Sequence, residues 1–265
     1  MPIHPTALVD PRAEIDPRAA IGPYVVIDGP VVVGAGTRVL AHAVLTGHTT
    51  IGRDNVIHMG AVIGHEPQDL TYADAPTGLR IGDRNVIREH AEIHRATTVE
   101  QPTTLGDDNF LLSQAHVAHD CQLGNRIIMA TGATLGGHVQ VGDLVFVSGN
   151  CVVHQHVRIG RLALLRGLSR TSRDVPPFCI MDWTHTVRSL NRVGLRRAGY
   201  DAAQIRALQR AFAMLFRRRR NLRQGLAEVE AGSLSPEVQE LVEFIRSAKR
   251  PVCTGPRAAA ADDGE

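Results

Sequence analysis

VAHDCQLGNRIIMATGATL, residues 117–135, places Val117, Leu123, Met129 and Leu135 six residues apart. The spacing extends in both directions. Upstream it runs Ile3, Val9, Ile15, Ile21, Ile27, Val33, Val39, Leu45, Ile51, Ile57, Ile63, then Ile81, Ile87, Ile93, then Leu105 and Leu111. Downstream it continues through Val141, Val147, Val153, Ile159 and Leu165. In a chain that is 43% hydrophobic, chance would fill all of these positions on the order of 10⁻⁹ times per register. A period of six matches neither the ~3.6 of a helix nor plain strand alternation. It matches an all-β solenoid of triangular section, with one short strand and one corner per hexad and three hexads per coil. Glycine follows the aliphatic residue in Ile21-Gly22, Val33-Gly34, Ile51-Gly52, Leu123-Gly124 and Val141-Gly142, which suits tight corners. Coils stacking at ~4.8 Å make a prism roughly 40 Å long, and stacking closes a core that no single repeat could bury.

Two segments break the count, 65–80 (HEPQDLTYADAPTGLR) and 95–104 (RATTVEQPTT). Both are polar and should loop out of the prism, where a rigid scaffold can present them. The period fails at Thr171, and Val175-Pro176-Pro177 marks the exit. The solenoid is therefore assigned to 1–175 and a helical domain to 176–250. There Asp201 is a helix N-cap with Gln204 three residues on, and a later helix opens at Ser235-Pro236. The stretch 251–265 reads as a disordered tail.

The chain has 265 residues, a formal net charge of +2 and only 4% aromatic residues. So balanced a charge excludes a polyanion binder, and no nucleic acid is expected as a partner. Basic charge concentrates at Arg217-Arg218-Arg219-Arg220. Cys121, Cys151, Cys179 and Cys253 show no metal-ligand spacing and read as reduced thiols of a cytoplasmic protein. No apolar run reaches ~18 residues, and the repeat begins at once, so neither a membrane span nor a signal peptide is expected.

Polar residues in a solenoid wall are costly without partners or a task. They concentrate in QAHVAHDC, residues 114–121. Positions 18 apart stack along one edge, which sets His119 over Gly137 and beside His138, with Gln155, His154 and His156 one coil further. His119 reads as a general base assisted by Asp120, and the Gly137 N–H as an oxyanion donor. Cys121 is a weak nucleophile candidate, since buried thiols are usually inert. A histidine ladder without a role stays open as an alternative. A metal site is not expected: no HExxH is present, and His116 and His119 would not obviously converge on one ion.

GRDNVI (52–57), IGHEPQDLTYADAPT (63–77), IGDRNVIRE (81–89), IHRAT (93–97), AHVAHDCQLGNR (115–126), ATLGGHVQVGD (133–143), VHQ (153–155) and DVPPF (174–178) together resemble the UDP-N-acetylglucosamine acyltransferases. The resemblance implies a left-handed parallel β-helix with a C-terminal helical domain. It also implies a homotrimer with active sites between subunits, and no cofactor. The implied reaction moves a 3-hydroxyacyl chain from acyl carrier protein to the 3-hydroxyl of UDP-N-acetylglucosamine and opens lipid A synthesis. Carried over, His119 is the base, Asp120 its helper and Gly137 the oxyanion amide. Asp69, His116, His138, His154 and Gln155 line the cleft, Asn191 and Arg197 contact the nucleotide, and Gly167 limits acyl length. The chain departs from the family pattern at Thr71, at Met181–His185, and at Val193 and Ala198. The alternative is a related hexapeptide acyltransferase acting on another amino-sugar nucleotide or on an amine; the related N-acyltransferases carry an extra N-terminal domain before the repeat.

Overall fold

The computed structural model describes residues 3–217 and 221–256. Three parallel sheets wrap around one aliphatic core. The first face stacks nine short strands from Leu8–Val9 to Arg170–Thr171 and includes Glu92–His94, His116–Val117 and Thr134–Leu135. The second stacks eight, from Glu14–Ile15 to Arg158–Ile159. The third stacks ten and ends with Cys179–Asp182 and the antiparallel Thr186–Leu190. Register follows the hexads: Val117 pairs with Ile93 on one side and Leu135 on the other. Each six-residue unit turns two side chains inward, the key aliphatic and a smaller residue two positions earlier, as with Ala115 and Val117 or Cys121 and Leu123. Burying each large aliphatic contributes ~1.5–3 kcal/mol, repeated along the prism.

The corners are built differently from the sequence expectation. The third residue after most inward aliphatics takes a left-handed backbone, and many of these are not glycine: Tyr24 (φ 57°), Arg84 (56°), Asp120 (59°), Leu144 (60°). Each non-glycine residue there costs ~1–2 kcal/mol, which the stacked coils offset. The glycines directly after the aliphatic serve close approach between coils. A Cβ on Gly34 would lie 2.5 Å from the Gly52 oxygen, and one on Gly52 2.6 Å from that of Gly82. Between the second and third faces a buried asparagine ladder closes the corner. Asn85 and Asn109 each donate a backbone N–H to the preceding asparagine's Oδ1, at 2.8 and 2.9 Å.

The prism does not end at 175. Ile180 and Met181 pair with Leu164 and Leu165, so Val175-Pro176-Pro177 ends the hexads but not the sheet. Thr171 still points inward, and its hydroxyl donates to the Arg173 carbonyl at 2.8 Å. Helices follow: α1 Arg192–Arg197, α2 Ala202–Phe212 extended by a π-turn to Arg217, α3 Leu222–Glu230 and α4 Pro236–Arg246. Asp201 forms the expected capping box with Gln204 on α2, and Pro236 opens α4. Residues 251–256 depart from the tail expectation. Val252 bridges to Asp174 and Thr254 to Thr186, and Cys253 is fully buried; its apolar neighbours sit against the sheet end rather than in solvent. The remaining tail, 257–265, and Arg218–Arg220 of the basic cluster lie outside the described residues. Among the described residues no helix is long and apolar enough to cross a membrane.

Two of the three outer faces carry apolar stretches. The third face turns Val56, Val86, Phe110, Ile128, Phe146 and Leu164 outward, and the first turns out Val26, Val44 and Val62, then the polar Glu92, His116 and Thr134 before Val152. The second presents Thr50, Arg80, Thr104, Gln122 and Gln140.

Candidate active site

The corner between first and second faces carries Ala118-His119-Asp120-Cys121, because the strands His116–Val117 and Gln122–Leu123 flank it. His119 is buried, 7% exposed. Its Nδ1 lies 2.8 Å from Asp120 Oδ2, so the proton sits on Nδ1 and the Nε2 lone pair is free. Asp120 is itself held: Thr97 donates from its N–H (3.0 Å) and hydroxyl (2.7 Å), and the Asp120 N–H donates to the Thr103 hydroxyl at 2.8 Å. Burial alone would raise the Asp120 carboxyl, but the hydrogen bonds from His119 and Thr97 outweigh it and keep it below its ordinary value. It remains an anion opposite the imidazole.

One coil on, Gly137 lies directly against the imidazole. A Cβ there would sit 2.5 Å from His119 Cε1 and 2.7 Å from Nε2. Its carbonyl accepts from the His156 N–H, while its own N–H has no partner among the described residues. His138 meets His119 edge-on at 5.2 Å between ring centres and stacks on His156 at 4.4 Å.

The loop between His65 and Gly78 brings Asp69 across the corner, with Oδ2 4.0 Å from His119 Nε2. The Thr71 N–H and hydroxyl occupy Asp69 Oδ1, each at 2.8 Å, and hold this carboxyl below its usual range. Two residues that sequence reasoning left without a role anchor that loop. His94, buried, contacts the Glu66 carbonyl through Nδ1 at 2.6 Å. Arg95, also buried, donates to the Gly64 carbonyl at 3.1 Å and to the Tyr72 hydroxyl at 3.2 Å, with its guanidinium over the Tyr72 ring. Both stand in the IHRAT block, a histidine and an arginine just past an inward isoleucine, which marked them as unusual without revealing the loop they hold.

The structure joins His119, Asp120, Gly137, His138 and Asp69 in one place and leaves others apart. His116 points outward on the first face, its Nδ1 3.1 Å from Glu92 Oε2. His154 is exposed and contacts the Gln155 carbonyl; His156, not His154, continues the imidazole stack. The phase of the left-handed corner decides this, since Asp120, His138 and His156 occupy the same corner position. Gln155 lies exposed beside them. Gly167 is at a different corner, between third and first faces, where a Cβ would meet only the Gly149 carbonyl oxygen, at 3.6 Å. Asn191 is buried at the α1 N-cap, where its amide donates to the Leu162 carbonyl (2.9 Å) and accepts from the Gly194 N–H (3.0 Å). Arg197 is exposed in the last turn of α1. Cys121 donates to the Gly136 carbonyl, and burial pushes its thiol up to about 12, which removes it as a nucleophile.

Among the described residues two groups are dense enough to hold a divalent ion, Glu92–His94–His116 and His119–Asp120–His138, each with ligand atoms within 4.8 Å of one another. In both, a carboxylate already contacts an imidazole nitrogen, Glu92 with His116 and Asp120 with His119.

This arrangement, a buried imidazole with one nitrogen fixed by a carboxylate and the other free beside Gly137, whose amide N–H is unpaired among the described residues, suits proton abstraction from a hydroxyl during acyl transfer. A family model described as "Udp N-acetylglucosamine O-acyltransferase; Domain 2" matches residues 174–253. Solved structures match nearly the whole chain. The UDP-N-acetylglucosamine acyltransferase of Francisella novicida is 30% identical with a TM-score of 0.92, over 99% of this chain and 100% of that one. That of Bacteroides fragilis is 35% identical with a TM-score of 0.90, over 94% and 99%. The UDP-N-acetylglucosamine O-acyltransferase of Moraxella catarrhalis is 35% identical with a TM-score of 0.88, over 96% and 100%. The solenoid is thus a left-handed parallel β-helix with C-terminal helices, and the chain belongs to the UDP-N-acetylglucosamine acyltransferase family.

Proposed function

We propose that this enzyme transfers a 3-hydroxyacyl chain from acyl carrier protein to the 3-hydroxyl of UDP-N-acetylglucosamine, as a cytoplasmic step of lipid A biosynthesis, with His119 as general base. The observation that carries the reading is the His119–Asp120 contact at 2.8 Å, which leaves Nε2 free beside Gly137. His119 Nε2 takes the proton as the sugar oxygen attacks the thioester carbon. Asp120 stabilises the resulting imidazolium. The Gly137 N–H donates to the oxyanion of the tetrahedral intermediate. On collapse the C–S bond breaks, and the carrier's thiolate recovers the proton from His119. Asp69 Oδ2, facing Nε2, is placed to orient the sugar.

The assembly reading rests on the outer faces. The third carries a continuous apolar row from Val56 to Leu164, and the first a shorter one from Val26 to Val62, which a lone prism would expose to water. Packing the third face of one copy on the first face of the next is a heterologous contact, and three copies close it into a ring. That would bring Gly167 and the exposed Arg197 of one copy toward a neighbour's His119 corner. Light scattering should give three times the 28.7 kDa chain; a monomer at micromolar concentration would contradict the trimer. The reaction itself is tested by mass spectrometry of products from a panel of acyl carrier protein thioesters offered with UDP-N-acetylglucosamine and its 3-amino analogue. O-acylated product supports the reading, and product only from the amine overturns it.

A further inference from the structure

Past the imidazole stack the first–second corner opens into a cleft of ≈ 500 Å³ lined by His138, His156, Arg158, Lys249 and Arg250. Its charges do not balance. Asp174 is the carboxylate lining it, and Arg158 consumes that group through a 2.8 Å contact at Nε and a backbone N–H bond. Arg158 spends its other donors on the Ser247 hydroxyl and the Phe244 carbonyl. Arg250 is held by only one long contact, 3.4 Å to the Ser172 carbonyl, and its buried Nε donates to nothing. Lys249 is exposed and makes no ion pair among the described residues. His156 faces the same cleft; burial lowers its pKa first, and the nearby His138 and Arg250 add to this. A buried, unpaired guanidinium N–H is costly to leave unmade, and here it stands beside a free ammonium and two imidazoles that can donate as neutral rings.

We infer that Arg250, Lys249 and His156 form an anion subsite that receives a phosphate group of a substrate, one or two coils, ~5–10 Å, from the catalytic imidazole. Guanidinium and ammonium donors converging from one side suit the oxygens of a phosphate ester. The ligand's origin rests on the transfer reading, which offers two phosphates: the diphosphate of the sugar nucleotide and the phosphodiester of the carrier's pantetheine arm. The site depends on residues 249–250, which the final sheet bridges hold in place: the Pro251 carbonyl accepts from the Asp174 N–H at 3.0 Å, and Val252 bridges to Asp174.

The test measures equilibrium binding of inorganic pyrophosphate, UDP-N-acetylglucosamine and 4′-phosphopantetheine to the wild-type protein, Arg250→Gln and Lys249→Gln, alongside the Michaelis constants for both substrates. Arg250→Gln should weaken pyrophosphate and one substrate-derived probe at least ~10-fold, the loss of a charge-assisted hydrogen bond. The substrate whose Michaelis constant rises in parallel names the phosphate. Lys249 is exposed, so Lys249→Gln keeps the fold and should weaken the same probe by a smaller factor. Unchanged pyrophosphate affinity in both variants overturns the subsite while leaving turnover, and the transfer reading, intact. A wild-type protein that binds pyrophosphate through Arg250 but does not turn over keeps the subsite and sinks the reaction.

Discussion

Gly137→Ala isolates the contact on which the catalytic geometry depends. The added methyl would lie 2.5 Å from His119 Cε1 and 2.7 Å from Nε2, against an ordinary carbon contact of ~3.5–4.0 Å. The ring must retreat by roughly 1 Å, because residue 137 is pinned between coils. The adjoining Nδ1–Asp120 bond starts at 2.8 Å and would pass the ~3.2 Å limit of a sound hydrogen bond. A misplacement of ~1 Å at a reacting group costs ~10²-fold, so turnover at saturating substrate should fall about that far. The folded state loses one charge-assisted bond, ~1.5–3 kcal/mol, and the melting temperature should drop by several degrees only. Gly136→Ala gives the contrast. Its Cβ would lie 2.8 Å from the Gln155 backbone nitrogen, so it should strain coil stacking and lower the melting temperature more than the rate. A Gly137→Ala enzyme that kept more than half of wild-type turnover would refute the placement of the ring.

Four further outcomes follow from the same geometry. Burial lowers the His94 pKa, so the folded state resists its protonation; stability should be full above pH ~6.5 and fall as the pH drops below it. Thermal melts of His94→Gln should be flatter in that window, and an unchanged slope would contradict the burial argument. Asp120 is held low, so its contribution should be complete above pH ~3.9 and vanish only on further acidification, a loss that Asp120→Asn should lack when melts are compared between pH 3 and 6. Because the Cys121 thiol is pushed up to about 12, iodoacetamide at pH 7.5 should leave turnover untouched, and inactivation tracking Cys121 alkylation by mass spectrometry would reopen it as a nucleophile. Arg95→Met should free Tyr72 and the loop that carries Asp69, seen as faster proteolysis between 66 and 77 and a lower rate; an equally protected loop would argue against the anchor.

The prism was legible because its period is carried by side chains that all do one thing, face inward. The same arithmetic that stacks Val117 on Leu135 put His119 over Gly137. It left His154 and His156 open on either side of Gln155; the corner's left-handed step falls on the third residue after the aliphatic, so His138 and His156 share a phase. Asn55 and Asn85 of the Asn55–Asn85–Asn109 ladder stood in quoted motifs, yet the ladder's purpose is a hydrogen-bond count between coils, which no single hexad displays. The roles of Thr97, Thr103, Arg95 and Arg250 depend on contacts across 17 to 78 residues of chain. Pairings of that range leave no periodic trace.

The central claim is that His119 takes the proton of the attacking hydroxyl. Its side chain sits at a corner and its removal leaves every inward aliphatic in place, so His119→Ala should retain the wild-type assembly and, losing the bond to Asp120, melt only several degrees lower. Loss of a positioned general base costs ~10²–10⁴-fold in rate. The decisive measurement is the turnover of His119→Ala with saturating acyl carrier protein thioester and UDP-N-acetylglucosamine, quantified as acylated sugar nucleotide by mass spectrometry. The account predicts a fall of ~10²-fold or more; turnover above about a tenth of wild type, far short of that loss, would assign the base to another residue.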